Sequence, residues 1–311
     1  MRLIDRWVGI PLCFFASFWP LKKAQADSNS TLATNIPPPD TIVFILIAEI
    51  GALVVAYPAI KETRKQHPKS RICFITAPAG LQTLELMGFE KEDIFLLETS
   101  SIKSLLKGIV NIRSHFKGRR VSAIVLEPFT RFSTLLSAWI GASKRIGCYR
   151  FLNEGVYLGN ILTHRLVYNP HLHMSQTYFA LAKALIEPDS AKPLLKEYIP
   201  SQIKNRLKIN IPEKERQTLM KRLQSECPEN PLKKIILLNA NTSDIVPLRK
   251  WPLENFVELG KQLLENSEFT VVLTGSPEEK DVCEDLALQI NPDRTVNFAG
   301  KTSFKELITL Y

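Results

Sequence analysis

TIVFILIAEIGALVVAYPAIKETRKQHP, residues 41–68, decides the fold. Ile42 to Ile47 form an unbroken apolar run. A short run rich in Ile, Val and Phe reads as a strand buried on both faces, as in parallel sheets. Gly51 follows, where the reading places a sharp turn. Leu53, Val54, Tyr57 and Ile60 then share one stripe of a helical pattern, with Lys61, Arg64 and Lys65 on the other. Pro58 inside that pattern predicts a kink. Strand, turn and helix together aim a helix N-terminus at a cleft, a setting that suits an anionic group.

Outward from this stretch the pattern repeats. Strands are expected at Arg71–Thr76, Ile94–Leu97 and Val121–Leu126, the last ending at Glu127-Pro128, with a short edge strand at Lys144–Gly147. Helices are expected at Pro78–Met87, Ile102–Phe116, Phe132–Ile140 and His171–Leu185. Alternating strands and helices imply a doubly wound parallel sheet. Residues 188–212, rich in Pro and Lys, read as an interdomain connection. Pro212–Cys227 reads as a charged helix. A second unit then shows strands at Ile235–Leu238, Phe269–Thr274 and Thr295–Phe298. Its helices begin at Pro252, after Ser276-Pro277 and after Ser303, with capping boxes Ser276/Glu279 and Ser303/Glu306. Three strands make a short parallel domain, so this unit is expected to be incomplete at Tyr311.

With 311 residues, 45% hydrophobic, the chain supports two cores. Five cysteines lack CxxC spacing, so they read as buried reduced thiols, not as a disulfide framework or zinc site. The net charge of +9 is unevenly placed. Residues 41–190 hold 18 basic and 11 acidic side chains, whereas residues 211–311 hold 13 and 16. The basic half is expected to meet an anionic or membrane-bound partner. Within residues 1–40, Trp7–Pro20 is apolar, too short to span a bilayer, and flanked by Arg2, Arg6, Lys22 and Lys23. It reads as an interfacial segment followed by a linker ending in Pro37-Pro38-Pro39. A cleaved signal peptide, with Ala24-Gln25-Ala26 before the cut, is the alternative.

Several motifs in order resemble glycosyltransferase family nine, the ADP-heptose:lipopolysaccharide heptosyltransferase-like proteins. Ile50-Gly51-Ala52 stands where that family has a Leu-Gly-Asp turn, and Tyr57-Pro58-Ala59-Ile60 where it has Leu-Pro-Ala-Leu. Arg249-Lys250-Trp251-Pro252, Thr274-Gly275-Ser276-Pro277-Glu278-Glu279 and Ala299-Gly300-Lys301-Thr302-Ser303 match further motifs. The resemblance implies an α/β fold with two facing Rossmann-like domains, the GT-B arrangement. Residues 41–187 would be the acceptor side and residues 213–311 the donor side. It implies an inverting, metal-independent glycosyltransferase without cofactor. The enzyme would move a sugar, heptose being the first candidate, from a nucleotide diphosphate donor to a lipid-linked or envelope saccharide. Its expected place is the inner face of the cytoplasmic membrane, on an anionic surface and without a nucleic-acid partner. The alternative is a non-catalytic relative that binds a saccharide or nucleotide sugar.

By that resemblance Lys250 contacts the diphosphate, with Thr242 and Ser243 as hydroxyl donors, Glu279 at the ribose, and Lys301 and Thr302 at the donor. From residue chemistry alone, Lys250 ahead of a helix N-terminus suits a diphosphate, and Glu279 equally suits a capping box. Inverting transfer needs a carboxylate base. The family's Asp is replaced by Ala52, so Glu49 and Glu127 become the candidates. Gly51, Arg131, Lys144 and Arg145 are the candidates for the acceptor and its phosphates. His171 and His173 read as capping or packing residues. No G-x-G-x-x-G, G-x-x-x-x-G-K-[ST] or G-x-S-x-G sequence occurs, which argues against dinucleotide, P-loop and serine-hydrolase chemistry. The reading of Trp7–Pro20 predicts that the mature protein retains this segment. N-terminal sequencing should find it in place, and a mature chain starting at Asp27 would overturn the reading.

Overall fold

The computed structural model describes residues 7–18, 38–47, 50–151, 156–187, 207–227, 232, 234–240 and 250–311. The chain divides into two compact units, Met1–Ile209 and Asn210–Tyr311. In the first, six strands form one sheet: β1 (Thr41–Ile45), β2 (Arg71–Thr76), β3 (Ile94–Leu96), β4 (Val121–Val125), β5 (Lys144–Phe151) and β6 (His164–Tyr168). Their order is β3-β2-β1-β4-β5-β6 and every pair is parallel. That is the strand order of a Rossmann sheet. Val43 of β1 lies level with Cys73 of β2 and Ala123 of β4.

The apolar run of β1 is continuous because both faces are covered. Ile42, Phe44 and Leu46 join one core with Leu53, Ala56 and Ile60 of α2 (Ile50–Gln66), Leu84 of α3 (Leu81–Leu86) and Leu181 of α6 (Met174–Lys183). Val43, Ile45 and Ile47 join the opposite core with Ile112 and Phe116 of α4 (Ile102–Phe116) and Leu136 of α5 (Arg131–Trp139). At the amino end of the sheet Arg120 Nη2 meets Asp40 Oδ1 at 2.6 Å, and its amide donates to Asp40 Oδ2 at 3.0 Å. This pairing holds the Asp40 carboxyl below its usual range.

Three local expectations change. Gly51 lies inside the first turn of α2, with open space where a Cβ would stand, so the chain does not turn there. Residues 48–49, between Ile47 and the start of α2, lie outside the described residues. The segment expected as an edge strand is the start of β5, which runs on to Phe151 and has neighbours on both sides. The edge on that side is β6, His164–Tyr168, which the pattern did not signal. The helix expected from His171 starts at Met174 because His173 caps it: the Ser175 amide donates to His173 Nδ1 at 3.2 Å, and Gln176 Oε1 accepts from the His173 amide at 3.1 Å.

The N-terminal apolar segment is a helix, α1 (Gly9–Phe18), packed on α5. Gly9 sits so close to Arg131 that a Cβ would stand 2.9 Å from its side chain. Cys13 is buried, and Ser17 Oγ accepts from the Asn160 amide at 2.9 Å. Gly159 adopts φ +60, and a Cβ there would lie 2.6 Å from the Cys13 carbonyl. Gly9, Cys13 and Ser17 recur every four residues and form the docked face. No helix among the described residues is long and apolar enough to cross a membrane.

The second unit holds α7 (Glu213–Ser225), β7 (Lys234–Leu238), α8 (Leu253–Leu264), β8 (Phe269–Leu273), α9 (Lys280–Ile290), β9 (Thr295–Asn297) and α10 (Phe304–Leu310). Its strands are parallel in the order β7-β8-β9. Val271 and Leu273 pack toward α8 and α9, and Val272, Val296 and Phe298 toward α7. All five cysteines are buried and none is in a disulfide, and burial pushes the Cys148 thiol up to about 12.

Phe44 is fully buried and stacked on Phe74, ring centroids 5.2 Å apart. Phe44→Ala should lower unfolding stability by about 3–5 kcal/mol, read from denaturant melts. Phe15→Ala, on the exposed side of α1, should leave it within roughly 0.5 kcal/mol.

Candidate functional site

In an open parallel sheet, ligands gather outside the carboxyl ends of the strands, where the strand order reverses. In the first unit that point lies between β1 and β4. The two strands are still joined past their ends, since the Leu126 amide donates to the Ile45 carbonyl at 3.0 Å. Glu127 then takes over. Its Oε1 accepts the Ile47 amide at 2.9 Å, and its Oε2 accepts the Ser133 hydroxyl from α5. The carboxylate is buried and ties the end of β1 to the start of α5. Phe129, two residues on, has φ 61, a left-handed conformation uncommon for a bulky residue. It is held by its pack against the core and by Tyr168, 5.4 Å away and edge-on. The loop after β4 is therefore built rigidly.

Of the two candidate bases, Glu127 is engaged through both oxygens. Glu49 lies outside the described residues, between Ile47 and the first turn of α2. Gly51 is exposed in that turn, and Ala52 beside it is buried among core residues.

The expected acceptor cations are placed differently. Lys144 and Arg145 open β5, and Lys144 lies level with Ser122 near the amino end of β4. Lys144 Nζ donates to the Leu185 carbonyl at 3.2 Å and the Glu187 carbonyl at 2.8 Å. His164 Nε2 sits 3.1 Å from that second carbonyl. Arg145 is 1% exposed, with Nε donating to the Ile161 carbonyl at 2.6 Å and Nη1 to Ala142 at 2.5 Å. Arg131 is 6% exposed and donates through Nε to the Tyr157 carbonyl at 3.0 Å. A guanidinium carries five donors in a fixed fork, which suits it to gathering carbonyls inside a fold. These three cations frame the first unit instead of lining its surface. Nothing in their local sequence marks the distant carbonyls that hold them.

In the second unit the corresponding edge is formed by the loops after β8 and β9. The Gly300 amide donates to the Gly275 carbonyl at 3.1 Å. Gly300 has φ +67, and a Cβ there would stand 2.8 Å from Pro277 Cα, so only glycine fits. Glu279 completes the expected capping box, with Oε2 accepting the Ser276 amide at 2.6 Å. Lys301 Nζ pairs with Glu226 Oε2 at 2.7 Å, and its carbonyl accepts from Arg222. Thr302 is half-buried beside it. Lys250 is exposed, three residues ahead of α8. Trp251 is held edge-on against Phe256 at 4.8 Å. Thr242 and Ser243 lie outside the described residues.

A family model, Glycosyltransferase family 9 (heptosyltransferase), matches residues 123–311. The chain belongs to that family and is a glycosyltransferase by membership. Its fold is that of the solved heptosyltransferases. Escherichia coli ADP-heptose lipopolysaccharide heptosyltransferase II is similar at 18% identity and TM-score 0.60, covering 87% of this chain and 76% of that one. A glycosyltransferase family 9 structure from Veillonella parvula DSM 2008 gives 17% and 0.63, covering 88% and 72%. E. coli heptosyltransferase WaaC with ADP-2-deoxy-2-fluoro heptose gives 12% and 0.58, covering 87% and 79%. No curated protein sequence matches.

Arg145→Ala should leave its carbonyls without donors and lower stability by roughly 3 kcal/mol in denaturant melts. An Arg145→Ala protein as stable as the parent would return this residue to the surface.

Proposed function

We propose that this chain transfers a sugar, heptose being the first candidate, from a nucleotide diphosphate donor to a lipopolysaccharide-type or other envelope saccharide. Transfer would proceed with inversion and without a metal, at the inner face of the cytoplasmic membrane. The observation that carries the reading is Lys250. It is exposed, has no ion-pair partner among the described residues, and stands before the N-terminus of α8. A cation at the positive end of a helix dipole is locally unfavourable on its own. A diphosphate between the two reverses that sign and draws on both. Lys250 and the free amides of α8 would hold the diphosphate and stabilise its charge as it leaves. Thr242 and Ser243 would add hydroxyl donors. Glu279 has one oxygen in its capping box and would offer the other to a ribose hydroxyl. Thr302 and Lys301 would border the donor, Lys301 by leaving Glu226.

On the acceptor side, Glu49 is the base. Glu127 fits a positioning role, since its carboxylate anchors Ile47, two residues before Glu49. The first turn of α2, with Gly51 open to solvent, would face the acceptor. A second reading, donor binding without transfer, draws on Ala52: the position where the family has its acid is an apolar, buried residue here.

Titration calorimetry with ADP tests the donor site, ADP being bound in a solved WaaC structure. Lys250→Ala should weaken binding about ten- to a hundredfold, the loss of one charge-assisted contact of roughly 1.5–3 kcal/mol. Unchanged affinity would remove Lys250 from the site. Glu49→Gln should lower transfer by about 10²–10⁴ and leave ADP affinity intact. A parent chain that binds ADP but transfers nothing would support the second reading.

A further inference from the structure

Helix α4 covers one face of the first sheet with Ile112 and Phe116, aided by Leu105 and Ile109. Its exposed side is not polar throughout. Ile102, Leu106 and Val110 are 68%, 56% and 60% exposed, and their spacing of four puts them in one row. Beside the row stand Lys103, Lys107 and Lys117, all exposed. From Thr99 to Leu126 the sequence has six Lys or Arg and no acidic residue. Solvation accounts for the lysines but not for a row of aliphatic side chains between them.

A second apolar surface lies on α1, which packs on α5. Arg113 of α4 donates to the Trp139 carbonyl at the end of α5, and its guanidinium lies 4.9 Å from the half-exposed indole ring. The opposite end of α5 carries Arg131, against which Gly9 of α1 is packed. Docked through Gly9, Cys13 and Ser17, α1 turns Trp7, Phe15 and Phe18 outward at 71%, 67% and 74% exposure. Both exposed rows thus belong to helices gathered around α5.

We propose that α4 is a second membrane contact, its Ile102–Leu106–Val110 row entering the headgroup region of an anionic bilayer while Lys103, Lys107 and Lys117 meet lipid phosphates. The proposal rests on the peripheral membrane placement given above, and adds to it a contact outside the N-terminal segment. Charge decides the occupant. A second copy of this face would set lysines against lysines, whereas an anionic lipid surface complements them. Aliphatic side chains flanked by cations are what an interfacial helix presents to such a surface.

The full chain is sedimented with vesicles of equal phosphatidylglycerol and phosphatidylcholine, and with phosphatidylcholine alone. The parent should bind the mixed vesicles, lose binding as salt is raised, and ignore the neutral ones. The triple substitution Ile102→Ser, Leu106→Ser, Val110→Ser should weaken partition by about tenfold or more, as should Lys103→Glu with Lys107→Glu. Both sets lie on exposed positions, so circular dichroism melts should match the parent. If the α4 variants bind like the parent while Phe14→Ser, Phe15→Ser, Phe18→Ser abolishes binding, α1 alone anchors the protein and the proposal fails, although the peripheral placement stands. A parent that binds no vesicle overturns both. A parent that sediments as a dimer, and that the α4 substitutions split, makes this face a protein contact and also overturns it.

Discussion

The first unit depends on the hydrogen bonds of one strand. All five residues of β1 are buried, and its main chain pairs with β2 on one side and β4 on the other. No water reaches these groups, so each amide left unpaired would cost about 1–3 kcal/mol. Beyond Ile45 the neighbours begin to part. The Leu46 amide still finds the Ile75 carbonyl at 3.0 Å. The Ile47 amide has no strand to turn to, and the Glu127 carboxylate accepts it. A buried acid is thus part of the sheet's own satisfaction. The place where strand pairing fails is also the place where the chain opens toward solvent at Gly51.

The second unit builds its edge by close approach of main chain. Gly300 reaches Gly275 and passes over Pro277 at a distance that excludes any side chain. The loops after β8 and β9 brace one another before any ligand arrives. Such loops lose little freedom on binding, which favours affinity. Arg222 works behind them, joining the Lys301 carbonyl to Glu306 and lying over the Phe298 ring.

What could be read from the residues follows the reach of each signal. The parallel sheet was legible because β1 is apolar at successive positions, a pattern that only two-sided burial requires. Capping boxes at Ser276 and Ser303 were legible because their partners lie three residues away. β6 was not, since HRLVY mixes a buried His and a half-buried Arg with short apolar residues. Its partners are all on β5, so no local period announces it. Arg145 misled for the same reason. Charge next to charge in Lys144-Arg145 suggests a surface, yet the carbonyls that receive the Arg145 donors include one sixteen residues away. Glu127 reads from the sequence as a candidate base, but its partners Ile47 and Ser133 come from different parts of the chain. The candidates Glu49, Thr242 and Ser243 fall outside the described residues.

The burial of every cysteine has a practical consequence. Five thiols lie inside the two units, and the Cys73 and Cys148 thiols are pushed up to about 12 by burial. The thiolate is the reactive form, so maleimide and spin-label reagents have little to attack in the folded protein. A cysteine introduced on a solvent-facing helix would be labelled against a silent background, without first replacing the native five. One label on each unit would then report, by fluorescence transfer or dipolar distance, on the two units of this glycosyltransferase as a nucleotide such as ADP is added.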